Sequence, residues 1–169
     1  EVKLRQAFAL AREGRRADAA ALAATLGQPV PGFDFTKDGM KPFVDAPRFQ
    51  LYSGELQALL GDDVAARVHW KRAAAGRDFR QAAFAYRAAQ RLGQASEAEW
   101  RPRLEAALAE ADLYLFRGGH YPAGATGARG MLLRALGRGP EGEEALRQVF
   151  VLPDKGLPHH IARLALQEP

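Results

Sequence analysis

The chain has 169 residues, of which 47% are hydrophobic and 26% charged, and it carries 24 lysines and arginines against 20 aspartates and glutamates. A chain of this length can bury roughly 70% of the surface that it exposes when unfolded, and its hydrophobic content excludes an intrinsically disordered chain. It contains no cysteine, which excludes disulfides, thiol chemistry and thiolate ligation of zinc.

The composition predicts an all-α protein. Alanine, leucine and arginine dominate, whereas isoleucine, valine and threonine are scarce. Straight side chains lose little rotamer freedom in a helix and β-branched side chains lose more. The net charge is +4, but basic and acidic residues alternate along the chain, which is typical of solvated helix faces. No apolar run approaches the ~20 residues that cross a bilayer, so we expect no membrane partner.

The first predicted unit covers 1–27. Apolar residues recur at helical spacing on both sides of Gly14, which predicts a helix, a turn and a second helix that ends at Gly27. The segment 28–46 follows, where prolines and glycines block helix but several phenylalanines make the segment too apolar for a free linker. We expect it to pack irregularly on the helices, with a short helical turn near Lys37 to Lys41.

The second unit, 47–78, is predicted as a helix from Pro47 to Leu60 and a helix from Val64 to Ala75. Gly61 supplies the turn between them, and Asp63 is the predicted N-cap of the second helix.

The third unit, 79–117, is predicted as two helices separated by Gly93. Ser96 and Glu99 have the spacing of a capping box at the start of the second helix. Pro102 falls inside that helix, where it removes a backbone hydrogen bond and predicts a kink.

The fourth unit, 123–153, is predicted as a helix to Leu136, a long turn over 137–142 and a helix over 143–152. The last segment, 157–167, has one apolar face and is predicted to start a fifth pair or to be a capping helix for the open end of the array.

Small and large residues recur at fixed distances from the turn glycines. The repeat-defining residues in the second unit are Gly54, Gly61, Ala66, Trp70 and Ala73, and those in the fourth unit are Gly130 and Gly137. We expect Gly54 and Gly130 to let two helices approach closely, and Gly61 and Gly137 to adopt the left-handed turn conformation. Because the last turn looks about three residues longer, we expect Ala145, Val149 and Leu152 to match Ala66, Trp70 and Ala73.

This pattern resembles the tetratricopeptide repeat over nearly the whole chain. The second unit is the closest match, whereas the third departs from the family pattern at Tyr86 and Pro102. The chain is also similar to repeat regions of large bacterial proteins, and its start at Glu1 suggests a piece of a longer chain. The resemblance implies one repeat domain over 1–169, folded as a right-handed α-solenoid of antiparallel helix pairs.

The resemblance also implies a binding surface on the concave side, lined by the first helix of each pair. The residues expected there are Arg48, Tyr52, Glu55, Arg80, Phe84, Arg87, Arg91, Met131 and Arg134. Arginines beside aromatic rings suit an acidic peptide, because guanidinium binds carboxylate bidentately. The expected function is a non-catalytic scaffold for a protein, a peptide or other domains of the parent chain.

No catalytic, metal or cofactor site is predicted. His159 and His160 are adjacent and point about 100° apart on a helix, which does not suit one metal ion. The glycines around Gly124 lack the preceding strand and the lysine of a phosphate-binding loop. Two alternatives stay open: a helical-repeat nucleic-acid binder, and a module that presents substrate to the catalytic domain of a larger enzyme. The oligomeric state is left open, and the absence of a signal segment favours the cytoplasm.

Overall fold

The computed structural model describes residues 2–28, 41–153 and 156–167. Within these ranges every regular element is helical, which confirms the predicted all-α class. None of the helices in this part of the chain is both long enough and apolar enough to cross a membrane.

Ten α-helices and two short 3-10 turns make up the described chain. In order they are α1 (Val2–Arg12), α2 (Arg16–Ala23), α3 (Lys41–Val44), α4 (Pro47–Leu60), α5 (Asp63–Ala74), α6 (Ala82–Arg91), α7 (Glu97–Phe116), α8 (Pro122–Ala135), α9 (Gly139–Gln148) and α10 (Leu157–Gln167), with 3-10 turns at Phe79–Gln81 and Val149–Val151. The predicted bounds of α4 and α10 agree with these, and α7 continues through Pro102 as predicted.

The chain divides into two compact units. The first contains Glu1–Gly76 and Arg87–Gln94, and the second contains Arg77–Tyr86 and Ala95–Pro169. Helix α6 therefore contributes its first half to the second unit and its second half to the first. The single repeat domain over 1–169 stays a prediction.

The first unit is built on a core of small and branched apolar side chains. Its buried members are Leu4, Ala7, Ala11, Ala19, Ala23 and Leu56, with Phe8, Leu22, Phe49, Tyr52 and Leu60 packed against them. Alanines on α1 and α2 allow the two helices to lie close together, while Leu56 brings α4 into the same core. Burial of this apolar surface holds the hairpin α1–α2 on α4.

The largest fully buried side chains of the second unit lie on α8, on α9 and in the 3-10 turn that follows α9. These are Leu132, Leu133, Leu146 and Val149. Helix α10 packs on α8 and α9, and it buries Ala162 and Ala165. The helix predicted over 157–167 therefore forms and packs on the hairpin α8–α9.

Two glycines end α4 and α8 in the left-handed conformation expected for them. Gly61 has a φ of 89° and Gly137 a φ of 79°. At the first turn the N–H of Asp62 donates to the carbonyl of Gln57 at 2.9 Å, and at the second the N–H of Arg138 donates to Leu133 at 2.8 Å. Both turns are Schellman motifs, in which glycine avoids the steric penalty that a Cβ would meet.

Each of these hairpins also has a glycine where its two helices cross. A Cβ added at Gly54 would lie 2.5 Å from the Trp70 ring and 3.0 Å from the Ala66 carbonyl oxygen. A Cβ added at Gly130 would lie 2.7 Å from the Leu146 side chain and 2.9 Å from the Gly142 carbonyl oxygen. Glycine is therefore required at both crossings by the close approach of the partner helix.

These contacts correct the predicted alignment of the fourth unit. Helix α9 begins at Gly139, because proline is tolerated in the first helical turn, so the turn is not longer than the one at Gly61. The constant interval that separates Gly54 from Gly130 also separates Ala66 from Gly142, Trp70 from Leu146 and Ala73 from Val149. The predicted match to Ala145, Val149 and Leu152 was wrong by three residues.

Three other local predictions need correction. The N-cap of α5 is Asp62 rather than Asp63, since its carboxylate accepts from the N–H of Ala65 at 2.9 Å. Ser96 holds the N-cap position of α7, but its side chain makes no capping hydrogen bond, so the predicted capping box does not form. The first turn of the third unit is a 3-10 turn, over Phe79–Gln81.

The predicted irregular segment lies mostly outside the described residues. The described part contains α3, whereas the helical turn predicted near Lys37 to Lys41 falls mainly on residues beyond the described ranges. A chain of hydrogen bonds ties α3 to the hairpin α4–α5. The Gln50 amide donates to the carbonyl of Val44 at 2.8 Å, and its oxygen lies 2.8 Å from Nδ1 of His69.

Candidate binding surface

In the first unit, the predicted binding residues of α4 and α6 are partly engaged with the protein itself. Arg48 is buried, and Tyr52 packs against the core. Glu55 and Arg91 are brought together, with Arg91 Nε 2.6 Å from a carboxylate oxygen of Glu55. Arg87 is half-buried and has its own interactions within the chain. The accessible part of the predicted surface in this unit is therefore centred on the pair Glu55–Arg91.

In the second unit, Arg80 is the predicted binding residue that is most exposed. Its guanidinium pairs with both carboxylate oxygens of Asp78, at 3.1 and 3.0 Å, and lies 5.6 Å from the centre of the Phe79 ring. The hydrogen bond to Asp78 raises the pKa of Arg80. Arg80 is therefore held in place, and its charge is balanced by Asp78, the N-cap residue of the 3-10 turn Phe79–Gln81.

The other predicted residues of the second unit face inward. Phe84 and Met131 are buried. Arg134 donates from its guanidinium to the main-chain carbonyl of Ala165, in the last turn of α10. This contact satisfies a carbonyl that the helix leaves unpaired, and it places a positive charge at the negative end of the helix dipole. Arg134 thus fixes the capping helix.

Two neighbouring clefts, which were not predicted from the sequence, lie along α7 in the second unit. Their volumes are about 250 and 240 Å³. The residues that line them are Tyr86, Glu97, Trp100, Arg101, Leu104, Glu105, Leu108, Ala109, Asp112, Ala135, Leu136 and Arg138. Arg101 and Leu136 belong to both clefts, so the two follow one side of α7.

The clefts have apolar floors and charged edges. Trp100 is buried with its ring 5.6 Å from that of Tyr86, and the guanidinium of Arg103 lies 3.9 Å from its centre. Arg101 pairs with Glu97 at 2.9 Å and with Glu105 at 3.1 Å. Such a surface can accept an apolar side chain between paired charges.

The four histidines lie in different surroundings. No group of three or more histidine, aspartate or glutamate side chains suitable for a metal occurs among the described residues. Both ring nitrogens of His159 are buried without a hydrogen-bond partner in the described chain, and the ring meets the edge of Phe150 at 5.8 Å. Burial, with a smaller effect of Arg72, lowers the pKa of His69. His120 is exposed in the turn before α8.

The chemistry of these surfaces is therefore that of contact and charge pairing. Exposed ion pairs such as Glu55–Arg91 contribute about 0–1 kcal/mol, so a partner carboxylate can replace the internal one at little cost. No known family model, curated protein or solved structure matches the chain.

Proposed function

We propose that the chain is a non-catalytic scaffold for protein–protein interaction, built from tetratricopeptide-like helix hairpins that stack as a right-handed α-solenoid. The observation that carries this proposal is the shared register of the hairpins α4–α5 and α8–α9, with a glycine at each crossing and at each turn. Repeated hairpins of this kind bury a continuous core only when they stack, and the stack presents an extended surface for partners.

Within this proposal the partner binds to the first helices of the hairpins. Glu55 and Arg91 form the accessible charged centre of that surface in the first unit, with Tyr52 beside them at the turn spacing of α4. An acidic segment of the partner takes the place of Glu55 and pairs with the guanidinium of Arg91. A bidentate contact of this type gives orientation as well as affinity.

The distribution of ion pairs supports a protein partner over nucleic acid for this surface. Eight arginines pair with acids of the chain: Arg15, Arg80, Arg91, Arg101, Arg103, Arg129, Arg138 and Arg147. Binding to a phosphate backbone draws on cations that are free to replace counterions. On this surface the two exposed arginines, Arg80 and Arg91, are already paired with Asp78 and Glu55.

The test is affinity capture from cells of the source organism with the full chain, in three forms. The wild type and Lys3→Glu/Arg5→Glu, which alters two exposed cations on α1, should retain the same protein. The exchange Glu55→Arg/Arg91→Glu keeps an ion pair but reverses its direction, so it should lose that protein while its helicity stays unchanged. Retention by all three forms would show that the first-helix surface is not the binding surface.

A further inference from the structure

Helix α5 presents an outer face that is both apolar and basic. Val64 and Val68 are 78% and 45% exposed, and Arg67, Lys71 and Arg72 are exposed as well. Residues three and four apart lie on one side of a helix, so these five side chains form a single stripe. We call it the α5 face. It lies opposite Ala66 and Ala73, which are fully buried.

The cations of the α5 face have no counterions in the described part of the chain. Arg67, Lys71 and Arg72 form no side-chain hydrogen bond or ion pair with any residue in those ranges, in contrast to the eight paired arginines. The acids on the same helix lie at its beginning, where Asp62 is occupied by the N–H of Ala65. The stripe from Arg67 onward is therefore uniformly positive.

The corresponding face of α9 shows how an ordinary solvated helix of this protein is arranged. At the positions equivalent to Arg67 and Lys71 it carries Glu143 and Arg147, which pair at 2.8 Å. Glu144, at the position of Val68, accepts a hydrogen bond from Gln148. On α9 the exposed face thus satisfies its own charges, whereas on α5 three cations have no counterion among residues 2–28, 41–153 and 156–167, and two valines are exposed.

We propose that the α5 face is a docking site for an acidic amphipathic segment of a partner protein. Carboxylates of that segment pair with Arg67, Lys71 and Arg72, and its aliphatic side chains cover Val64 and Val68. The valines favour a protein segment over nucleic acid, because a phosphate backbone offers no apolar surface for them. This surface is on the second helix of its hairpin, so it is separate from the surface of the proposed function.

Binding is measured by fluorescence polarisation with a labelled synthetic peptide that has leucines along one helical face and glutamates on both sides of them. Two further probes are the same peptide with glutamine in place of glutamate, and a DNA duplex of arbitrary sequence. The wild-type chain should bind the glutamate peptide at low salt, and the glutamine peptide at least roughly tenfold more weakly.

Variants then assign the site. Arg67→Glu/Lys71→Glu should weaken binding by roughly tenfold or more, and Val64→Ser/Val68→Ser should weaken it as well. Lys3→Glu/Arg5→Glu makes the same change in net charge and should bind like the wild type.

Three results would overturn the proposal. These are the absence of glutamate-peptide binding to the wild type at low salt, equal binding by Arg67→Glu/Lys71→Glu, and tighter binding of the DNA duplex with a steep salt dependence. The last would identify the α5 face as a nucleic-acid surface.

Discussion

The hairpins α4–α5 and α8–α9 share the same backbone geometry but have different side chains where their helices cross. In both hairpins, the glycine at the helix crossing lies seven residues before the glycine that forms the left-handed turn. At the crossing, Trp70 fills the first hairpin and Leu146 the second. The Trp70 indole nitrogen is buried without a hydrogen-bond partner in the described chain, whereas Leu146 leaves no polar atom unsatisfied. The same helix crossing therefore tolerates side chains of very different size and polarity.

The outer faces of the two hairpins differ more than their crossings. On α9 the exposed charges pair with one another, whereas Arg67, Lys71 and Arg72 on α5 pair with no residue of the described ranges. Because backbone geometry and core positions are shared, this difference in the surface is not needed for folding. It indicates that the fold is carried by the glycines and buried side chains, while the outer residues of each hairpin are free to differ.

The largest effect is expected from truncating the side chain at each crossing. Trp70→Ala should lower the free energy of unfolding by about 3–5 kcal/mol, and Leu146→Ala by about 2–5 kcal/mol, since each leaves a cavity between two helices. Urea denaturation followed by circular dichroism measures both. Trp70→Leu copies the second hairpin and removes the unsatisfied N–H, so it should cost less than Trp70→Ala. Unchanged midpoints for the alanine variants would contradict the shared register.

An intermediate effect is expected from adding a methyl group at the crossings. Gly54→Ala and Gly130→Ala should each cost about 1–3 kcal/mol, because the new Cβ meets the partner helix. Gly124→Ala is the matched control on α8, where nothing lies within 4 Å of the added Cβ. It should stabilise the protein by about 0.5–1 kcal/mol through helix propensity. Thermal denaturation of the three variants tests this, and stabilisation by Gly130→Ala would contradict the close approach.

The smallest effect is expected from the titration of His69, which should make the stability of the protein depend on pH. Burial and the nearby Arg72 lower the pKa of His69 from its ordinary value of 6.5. The unfolded chain therefore binds the proton more readily, so stability is complete above pH 6.5 and is lost as the pH falls through the folded pKa. The equivalent residue of the second hairpin is Ala145, which does not titrate.

The variant His69→Gln retains a donor for Gln50 and removes the titration. Urea midpoints measured between pH ~7.5 and ~5 should fall less for this variant than for the wild type. Parallel pH profiles for the two proteins would exclude a contribution from His69.

Much of the helical framework was predictable from the sequence because the local signals agree. Pro47 and Gly61 mark the ends of α4 by the chemistry of a first helical turn and of a left-handed exit, and both ends were predicted correctly. Helix α10 was predicted from its single apolar face. These features depend only on neighbouring residues.

The start of α9 could not be predicted because glycine has two roles. Gly139 and Gly142 were interpreted as parts of a turn, but Gly142 lies inside the helix, where its missing Cβ leaves room for the Gly130 carbonyl. A close helix crossing is a property of two segments far apart in the chain. The sequence indicates this crossing by the constant interval between equivalent residues of the two hairpins. The glycines near the turn obscured that interval.

The binding residues were the least predictable part. The family resemblance placed Arg48 and Phe84 on the first-helix surface, but both side chains are buried in the structure. Arg134 was taken for a contact residue and instead holds the end of α10. The charges of the α5 face are visible in the sequence, but only the structure shows that they have no partners among the described residues.

The shared register is tested most directly by nuclear Overhauser contacts in the isotope-labelled full chain. The α protons of Gly54 and Gly130 should show strong contacts to the Trp70 ring and to the Leu146 methyl groups, respectively. Contacts from Gly130 to the Ala145 methyl group, with none to Leu146, would mean that α9 is shifted along α8. That result would contradict the shared register of the two hairpins.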